Sequence, residues 1–143
     1  MNVGLGKFDF AISDGDEIIK AHFQKTPIPV NPVFILYKQL PIALVSLAET
    51  KLASLEDLKG KKVGIPGEYG SSFDALIIAL TKANLSRVDF ELKSIGYTQI
   101  EQLLNKQIDV AVVFTNNEPV KLQAMGQKIN LLPLAKYTDL VSA

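Results

Sequence analysis

Short apolar runs alternate along this chain with stretches of helical periodicity, and this alternation constrains the fold more than any other feature. The apolar runs predict strands at 8–12, 33–37, 42–47, 61–65, 90–93, 108–114 and 129–132. Helices are predicted at 17–22, 55–58, 73–83 and 100–105, and from residue 116 onward. Strands separated by helices favour an α/β domain with a largely parallel sheet, in which ligands bind outside the carboxyl ends of the strands.

The composition is that of an ordinary globular domain. Apolar residues make up 48% of the 143 residues, and fifteen basic residues balance fifteen acidic ones, so no net field favours nucleic acid. The lack of cysteine excludes disulfides, thiolate catalysis and cysteine metal sites. No apolar run approaches the roughly 20 residues of a membrane span, and residues 1–7 lack the features of a signal peptide. We therefore expect no export signal in this sequence, which leaves the compartment open.

A glycine-rich turn follows the predicted strand 61–65 and leads into a helix. Its Gly67, Tyr69, Gly70, Ser71 and Ser72 could hold a phosphate, carboxylate or hydroxyl through serine hydroxyls and helix-start amides. The alternative is that Ser71 only caps the helix and Tyr69 covers the core. The turn lacks the Gly-Lys-Ser/Thr ending of a nucleotide-hydrolysing P-loop and the tight Gly-x-Gly spacing of a dinucleotide site.

Two amides and a carboxylate, Asn116, Asn117 and Glu118, directly follow the predicted strand 108–114. We expect them at the carboxyl end of that strand, facing the same cleft as the glycine turn. A carboxylate and amides can read the edge of an aminopyrimidine or a flavin, because they offer acceptors and donors together. The alternative is an asparagine cap with Glu118 complementing the helix dipole.

Weaker candidates lie elsewhere in the chain. Ser13 and Asp14 follow strand 8–12 as the amides follow strand 108–114, and the two strands echo each other through Asp9 and Asp109. Thr98 and Glu101 have the spacing of a capping box, and the lone His22 has no partner for a metal site. Three further residues, Tyr37, Gln39 and Tyr97, are candidates for stacking or hydrogen bonding, against the alternative of core packing.

Several segments resemble the solute-binding proteins of ABC importers, in the branch that takes up thiamine pyrimidine precursors and relatives such as riboflavin. These segments include 57–67 and 94–99. The motif most specific to this branch is Tyr69 to Ser72 followed by Asn116 to Pro119. The resemblance covers nearly the whole chain. It implies a type II periplasmic-binding-protein-like fold of two lobes that close on a small heteroaromatic ligand, with an ABC permease as partner, no cofactor and no catalysis. Fungal pyrimidine-forming enzymes share the fold but use a cysteine-rich iron segment, which is missing here.

The resemblance also sets expectations for domain organisation. It implies that residues 1–47 are a remnant of the first lobe together with the hinge, which lies near 33–47. Residues 48–143 would then form the second lobe. Family members are periplasmic or membrane-anchored extracellular proteins, with a signal sequence and further segments on both sides of the region matched here. Missing first-lobe strands would leave sheet edges open, so we expect a homo-oligomer. This favours an alternative function, a stand-alone homodimeric assembly or regulatory module that has lost transport.

Overall fold

A five-stranded mixed sheet organises the larger part of the protein. The computed structural model describes residues 2–138, which form two compact units, 2–40 and 41–138. The sheet lies in the second unit, and its strands are β1 (Ile42–Leu47), β2 (Lys62–Ile65), β3 (Glu91–Ser94), β4 (Val110–Phe114) and β5 (Ile129–Pro133). The helices are α1 (Gly15–His22) in the first unit, and α2 (Gly70–Lys82), α3 (Gln99–Leu104) and α4 (Glu118–Ala124) in the second. Short 3-10 turns cover Leu55–Leu58, Arg87–Asp89 and Leu134–Lys136.

The strand order is β3-β2-β4-β1-β5. Strand β2 runs parallel to β3 and β4, whereas β1 is antiparallel to both of its neighbours, β4 and β5. Four strands therefore point one way and β1 alone points the other way. All six side chains of β1 are buried, as expected for an apolar strand at the inside of a sheet that is covered on both faces. The predicted α/β class with a parallel-rich sheet and flanking helices is confirmed.

Helices cover both faces of this sheet. The connection from β2 to β3 and that from β3 to β4 run in opposite directions across the sheet, so right-handed crossovers place α2 on one face and α3 on the other. The face under α3 and α4 carries one continuous apolar core, whose buried members are Ala43, Val45, Leu47, Leu103, Ile108, Ala111, Val113 and Leu122. The buried side chains of α2 are Ala75, Leu76, Ala79 and Leu80. The sheet therefore lies between two helical layers, with α2 on one face and α3 and α4 on the other.

Asp109 ties the starts of two neighbouring strands together. Its amide donates to the carbonyl of Lys62 at 2.8 Å, and its carboxylate Oδ2 accepts from the Lys62 amide at 2.7 Å. The aspartate between apolar residues at this strand start is therefore a structural clip. Its sequence echo, Asp9, lies in no strand.

Two predicted strands, 8–12 and 33–37, do not form. Residues 8–12 are irregular and exposed, as are 33–36, and Tyr37 is half-buried. The apolar pattern of each segment is that of a strand, but neither pairs with another strand in the described chain. An unpaired strand leaves its backbone groups to water and gains no sheet packing. The predicted helix at 17–22 is confirmed as α1, and Ala21 is buried on it.

The capping box predicted at Thr98 and Glu101 is wrong. Thr98 holds the N-cap position of α3, but its hydroxyl donates to the carbonyl of Ile95 at 2.7 Å and makes no cap bond to the helix. The hydroxyl is thus used by the turn that precedes the helix. Capping boxes form instead around the 3-10 turns, in the pairs Ser54 with Asp57 and Ser86 with Asp89.

Candidate functional site

Three loops leave the sheet side by side at the carboxyl ends of its parallel strands. Strands β3, β2 and β4 are neighbours, with Ile65 paired to Ser94 and Val63 paired to Val110. The loops 95–98, 66–69 and 115–117 follow these strands directly. Because ligands of open α/β sheets bind at this edge, these loops are the first place to look for a site.

The glycine turn brings a tyrosine ring to the surface of this edge. Tyr69 is the N-cap residue of α2 and 67% exposed, and Gly67 beneath it is buried. A Cβ at Gly67 would collide with the Tyr69 ring, and Gly70 has a φ of +71°, which favours glycine. Gly67 thus leaves room for the Tyr69 ring, and Gly70 allows the backbone conformation of the turn.

Ser71 does not cap α2. It lies inside the first turn of the helix with Ser72, both half-buried, and the cap position makes no side-chain hydrogen bond. Tyr69 is exposed and so does not cover the core. The alternative that Ser71 caps the helix and Tyr69 covers the core is therefore wrong.

An ion pair that the sequence analysis did not anticipate flanks the glycine turn. The guanidinium of Arg87 lies 2.9 Å from the Glu68 carboxylate and 5.8 Å from the centroid of the Phe73 ring. Both side chains of the pair are about half exposed, where such pairs contribute little to stability. Arg87 lies 19 residues after Glu68, so no local pattern could have indicated the pair.

The corner after β4 is built around a buried carboxylate. Glu118 is 8% exposed at the start of α4. Its Oε2 accepts from the backbone amide of Phe114 at 3.0 Å, and its Oε1 accepts from Nδ2 of Asn117 at 2.7 Å. Asn117 holds the N-cap position, but its side chain makes no cap bond to the helix. Asn116 is exposed at the tip of the loop. The corner is thus fixed by side-chain bonds, and the carboxylate keeps further lone pairs on both oxygens.

An open groove of about 580 Å³ runs between α3 and α4 and reaches this corner. It brings together three predicted site residues, Tyr97, Asn117 and Glu118. The Tyr97 ring is 80% exposed, so the core-packing alternative is wrong for this residue. The groove is also lined by Gln99, Ile100, Leu104 and Met125, and by the charged residues Glu101 and Lys121. The glycine-turn residues lie on the neighbouring loop and are not part of its lining.

Four predicted site residues belong to the first unit. Ser13 is exposed and donates to the carbonyl of Asp14 at 3.4 Å. Asp14 is half-buried at the N-cap of α1, without a side-chain cap bond. Tyr37 is half-buried and Gln39 is exposed, both in irregular chain. Their roles in binding stay predictions.

The titratable side chains give no sign of a metal centre. Within residues 2–138, no three His, Cys, Asp or Glu side chains lie close enough together to hold a metal ion. His22 is exposed on α1, and its Nδ1 lies 2.9 Å from the carbonyl of Ile18. None of the helices in this range combines the length and apolar character needed to cross a membrane.

Comparison with known proteins identifies the family. Residues 1–142 match the family described as NMT1/THI5 like. The chain belongs to this family. It is 36% identical over 133 residues to the riboflavin-binding protein RibY of Chloroflexus aurantiacus. This alignment covers 93% of this chain and 37% of that protein. It is also 26% identical over 121 residues to the 4-amino-5-hydroxymethyl-2-methylpyrimidine phosphate synthase of Legionella pneumophila. That alignment covers 85% of this chain and 37% of the synthase.

Among solved structures the fold resembles the substrate-binding proteins of ABC transporters. The periplasmic aliphatic sulphonate binding protein SsuA from Escherichia coli aligns with a TM-score of 0.61 and 17% sequence identity, over 73% of this chain and 36% of that one. At this identity the likeness shows the fold alone. The chain spans 37% of the length of the two curated relatives, so the match is to part of each.

Sequence reasoning missed one residue of the groove that deserves notice, Gln99. It opens α3 directly after the loop of Tyr97, and it is only 2% exposed. Residues 94–98 separate it from the end of the predicted strand 90–93, so it lacks the signal that pointed to Asn116, Asn117 and Glu118, which directly follow their strand. What the sequence could not show is that this amide is buried against the groove.

Proposed function

We propose that this chain is a small-molecule binding module of an ABC importer, and that it recognises a thiamine pyrimidine precursor or a similar flat heteroaromatic ligand without converting it. The observation that carries the proposal is the Glu118 carboxylate, held at 8% exposure in the wall of a groove at the carboxyl ends of the strands. A buried carboxylate fixed by Phe114 and Asn117 is ready to accept from a ring amino or imino group.

The exposed Tyr97 supplies the second element of ring recognition. It lines the groove and is 80% exposed, and the apolar side chains of Ile100 and Met125 line the same groove. An aromatic face gains by stacking on a flat ring, and the carboxylate fixes the in-plane orientation of that ring.

The glycine turn has a separate role in the proposal. Ser71 and Ser72 lie in the first turn of α2, a helix of 13 residues, where free backbone amides and the helix dipole favour a negative or polar group. We assign the turn to the polar substituent of the ligand. Ser13, Asp14, Tyr37 and Gln39 remain candidates for contacts from the first unit.

The relatives support binding more than catalysis. One is named for riboflavin binding, and the structural likeness is to a sulphonate-binding protein. The synthase relative, at 26% identity, is the argument for an enzyme. The fungal pyrimidine-forming enzymes that share this fold use cysteines, which this sequence lacks. We therefore propose binding without turnover, outside the cytoplasm, with an ABC permease as partner.

Titration calorimetry tests the proposal with two probes, riboflavin and 4-amino-5-hydroxymethyl-2-methylpyrimidine. We expect at least one to bind and to raise the melting temperature, since a ligand at 100 times its Kd stabilises the native state by about 2.7 kcal/mol. Mass spectrometry of the recovered probe should show it unchanged. No heat and no thermal shift with either probe at millimolar concentration would overturn the proposal, and a converted probe would reveal an enzyme.

Variants of Tyr97 test whether this side chain belongs to the binding site. Tyr97→Ala should weaken binding of the probe about fivefold, because a stacking contact is worth about 1 kcal/mol, and Tyr97→Phe should retain the affinity. Neither change should alter stability, since the side chain is 80% exposed. Equal affinity of all three proteins would remove Tyr97 from the site.

A second proposal concerns assembly. Aromatic side chains of the first unit are widely exposed, with Phe10 at 78% and Phe23 at 87%. Exposed apolar surface of this kind marks an interaction site, and we propose that a second copy of the chain covers it. Such a homodimer could serve as a stand-alone assembly module that has kept the fold without transport.

Light scattering after size exclusion tests the dimer. The unmodified chain should elute as a dimer, and Phe10→Ser combined with Phe23→Ser should give a monomer. The control is Val88→Ser, because Val88 is 90% exposed but lies in the second unit. A monomer at every concentration of the unmodified chain would contradict the proposal.

A further inference from the structure

Met125 is the one methionine among the described residues 2–138, and it lines the groove between α3 and α4. The whole sequence has two methionines, no cysteine and no tryptophan. Thiols and thioethers are the side chains that peroxides oxidise most readily. Apart from Met1, which lies outside the described residues, this chemistry therefore falls on a single side chain, and that side chain belongs to the candidate site.

Met125 is open to solvent although its backbone is fixed. The residue is 56% exposed. It is the C-cap of α4, where its amide donates to the carbonyl of Lys121 at 3.0 Å and the amide of Gly126 donates to the carbonyl of Gln123 at 2.9 Å. Gly126 has a φ of +77°, which is common just after the end of a helix. An oxidant can thus reach the side chain, and a change there leaves these backbone bonds in place.

The thioether contributes to the apolar part of the groove. Met125 lines it together with Ile100 and Leu104, and Tyr97 is an exposed aromatic member of the same lining. A thioether is unbranched and polarisable, so it adapts to a flat ring and makes favourable sulfur–aromatic contacts. The side chain that is suited to contact a ring is therefore also one that an oxidant can alter.

We propose that Met125 is an oxidation site, at which a peroxide converts the thioether to the sulfoxide and thereby weakens ring binding in the groove. In this step the O–O bond of hydrogen peroxide breaks and an S–O bond forms. The sulfur loses two electrons, and the peroxide is reduced to water. A sulfoxide is polar, so covering it with a ring costs free energy that covering a thioether does not. The effect on binding rests on the proposed function, whereas the oxidation itself does not.

Three proteins test the proposal: the unmodified chain, Met125→Leu and Met125→Gln. Leucine keeps an apolar side chain of similar volume without sulfur, and glutamine gives a polar side chain of similar length. Each protein is treated with hydrogen peroxide, freed of the oxidant by gel filtration, and titrated with riboflavin and with 4-amino-5-hydroxymethyl-2-methylpyrimidine. Peptide mass spectrometry measures the oxygen gained at Met125 and at Met1. Because Met125→Leu retains Met1, it is the control for oxidation there.

We expect peroxide to add one oxygen atom to Met125 of the unmodified chain and to weaken probe binding roughly two- to tenfold, which corresponds to the loss of a sulfur–aromatic contact. Met125→Leu should bind like the untreated chain before and after treatment. Met125→Gln should bind as weakly as the oxidised chain without any treatment. Methionine sulfoxide reductases should restore the affinity of the oxidised chain. The melting temperature without ligand should be the same throughout, because the side chain is exposed.

Four results would overturn the proposal. Two are a failure of excess peroxide to oxidise Met125, and full oxidation with unchanged affinity for a probe that binds the untreated chain. The third is an equal loss of affinity in Met125→Leu, which would place the effect elsewhere. The fourth is a lower melting temperature of the oxidised ligand-free chain but not of treated Met125→Leu, which would make the thioether a structural group. All four leave the proposed function standing if the untreated chain binds a probe. If it binds neither, the proposed function fails and the effect on binding fails with it.

Discussion

The turns after β2 and β4 end neighbouring strands at the same edge of the sheet, but they are built by different means. The turn at 66–70 relies on its backbone, with a positive φ at Gly70 and the exposed Tyr69 ring over Gly67. The corner at 115–118 relies on side chains, with Glu118 bonded to Phe114 and to its neighbouring asparagine.

On the proposed function, this difference gives the two turns different tasks in ligand binding. A carboxylate held by two hydrogen bonds is already oriented when the ligand arrives, which avoids an ordering cost on binding. An exposed ring over a glycine can turn to meet different ligands at little cost. On the proposed function, we infer that the corner fixes the in-plane orientation of the ring and that the turn adapts to the substituent that the ring carries.

The largest expected effect comes from the carboxylate of the corner. Glu118→Ala should lower the free energy of unfolding by about 2–3 kcal/mol, because the Phe114 amide and the Asn117 side chain lose a charged acceptor in a buried place. Urea unfolding measures the change, and Glu101→Ala on the exposed side of α3 is the control, with an effect near zero. A loss below about 0.5 kcal/mol for Glu118→Ala would mean that the corner is not fixed by these bonds.

The two glycines of the other turn should respond differently. Gly70→Ala should cost about 1 kcal/mol, because its φ of +71° strains any residue with a Cβ. Gly67 has no positive φ, so Gly67→Ala should change stability by less than about 1 kcal/mol while displacing the Tyr69 ring. Urea unfolding gives the stabilities, and a riboflavin titration should show weaker binding by Gly67→Ala. A larger stability cost at Gly67 than at Gly70 would show that the ring is held firmly in place.

The sheet could be predicted from local sequence because its strands are apolar runs bounded by turn residues. The run at 42–47 and the β-branched run at 108–114 both form strands, and the glycine turn and the Asn-Asn-Glu corner lie at strand ends as expected. The runs at 8–12 and 33–37 have the same local pattern but form no strand. Strand formation depends on a partner, and local sequence does not specify one.

The site shows the same limit at the level of single residues. In the sequence, Asp109 stands out only as the echo of Asp9 at a strand start, and its carboxylate accepts from the Lys62 amide of the neighbouring strand. Gln99 carries no stronger signature than its neighbours, and it is the buried amide of the groove. Side-chain burial and pairing depend on residues far away in the sequence, so the loops at the carboxyl ends of the strands could be predicted, but not which of their side chains are buried or paired.

A smaller effect tests the serines of the adaptable turn. Ser71→Ala combined with Ser72→Ala should change the free energy of unfolding by less than about 0.5 kcal/mol, because neither hydroxyl caps α2. If the turn holds a polar substituent, the double variant should bind riboflavin 5′-phosphate more weakly but riboflavin as before. The comparison is made by calorimetry with both probes on both proteins. Equal losses for the two probes would place the serines against the ring instead.

The smallest effect disappears in acid, and it concerns a third carboxylate that also accepts hydrogen bonds from backbone amides. Asp57 accepts from Ala53 at 2.8 Å and from Ser54 at 3.2 Å, and Lys51 lies 2.8 Å from its other oxygen. The bond from Lys51 and then those from the backbone lower the pKa of Asp57 from 3.8 to about 2.

A carboxylate whose pKa is lower in the folded state stabilises the fold above its unfolded pKa, and that contribution disappears as the pH falls through the folded value. The melting temperature of the unmodified chain should therefore exceed that of Asp57→Asn at pH 5 and above, and the difference should shrink from about pH 4 down to about pH 2. Melting curves of both proteins across this range measure the difference. Acid destabilisation of equal size in both proteins would assign it to other carboxylates.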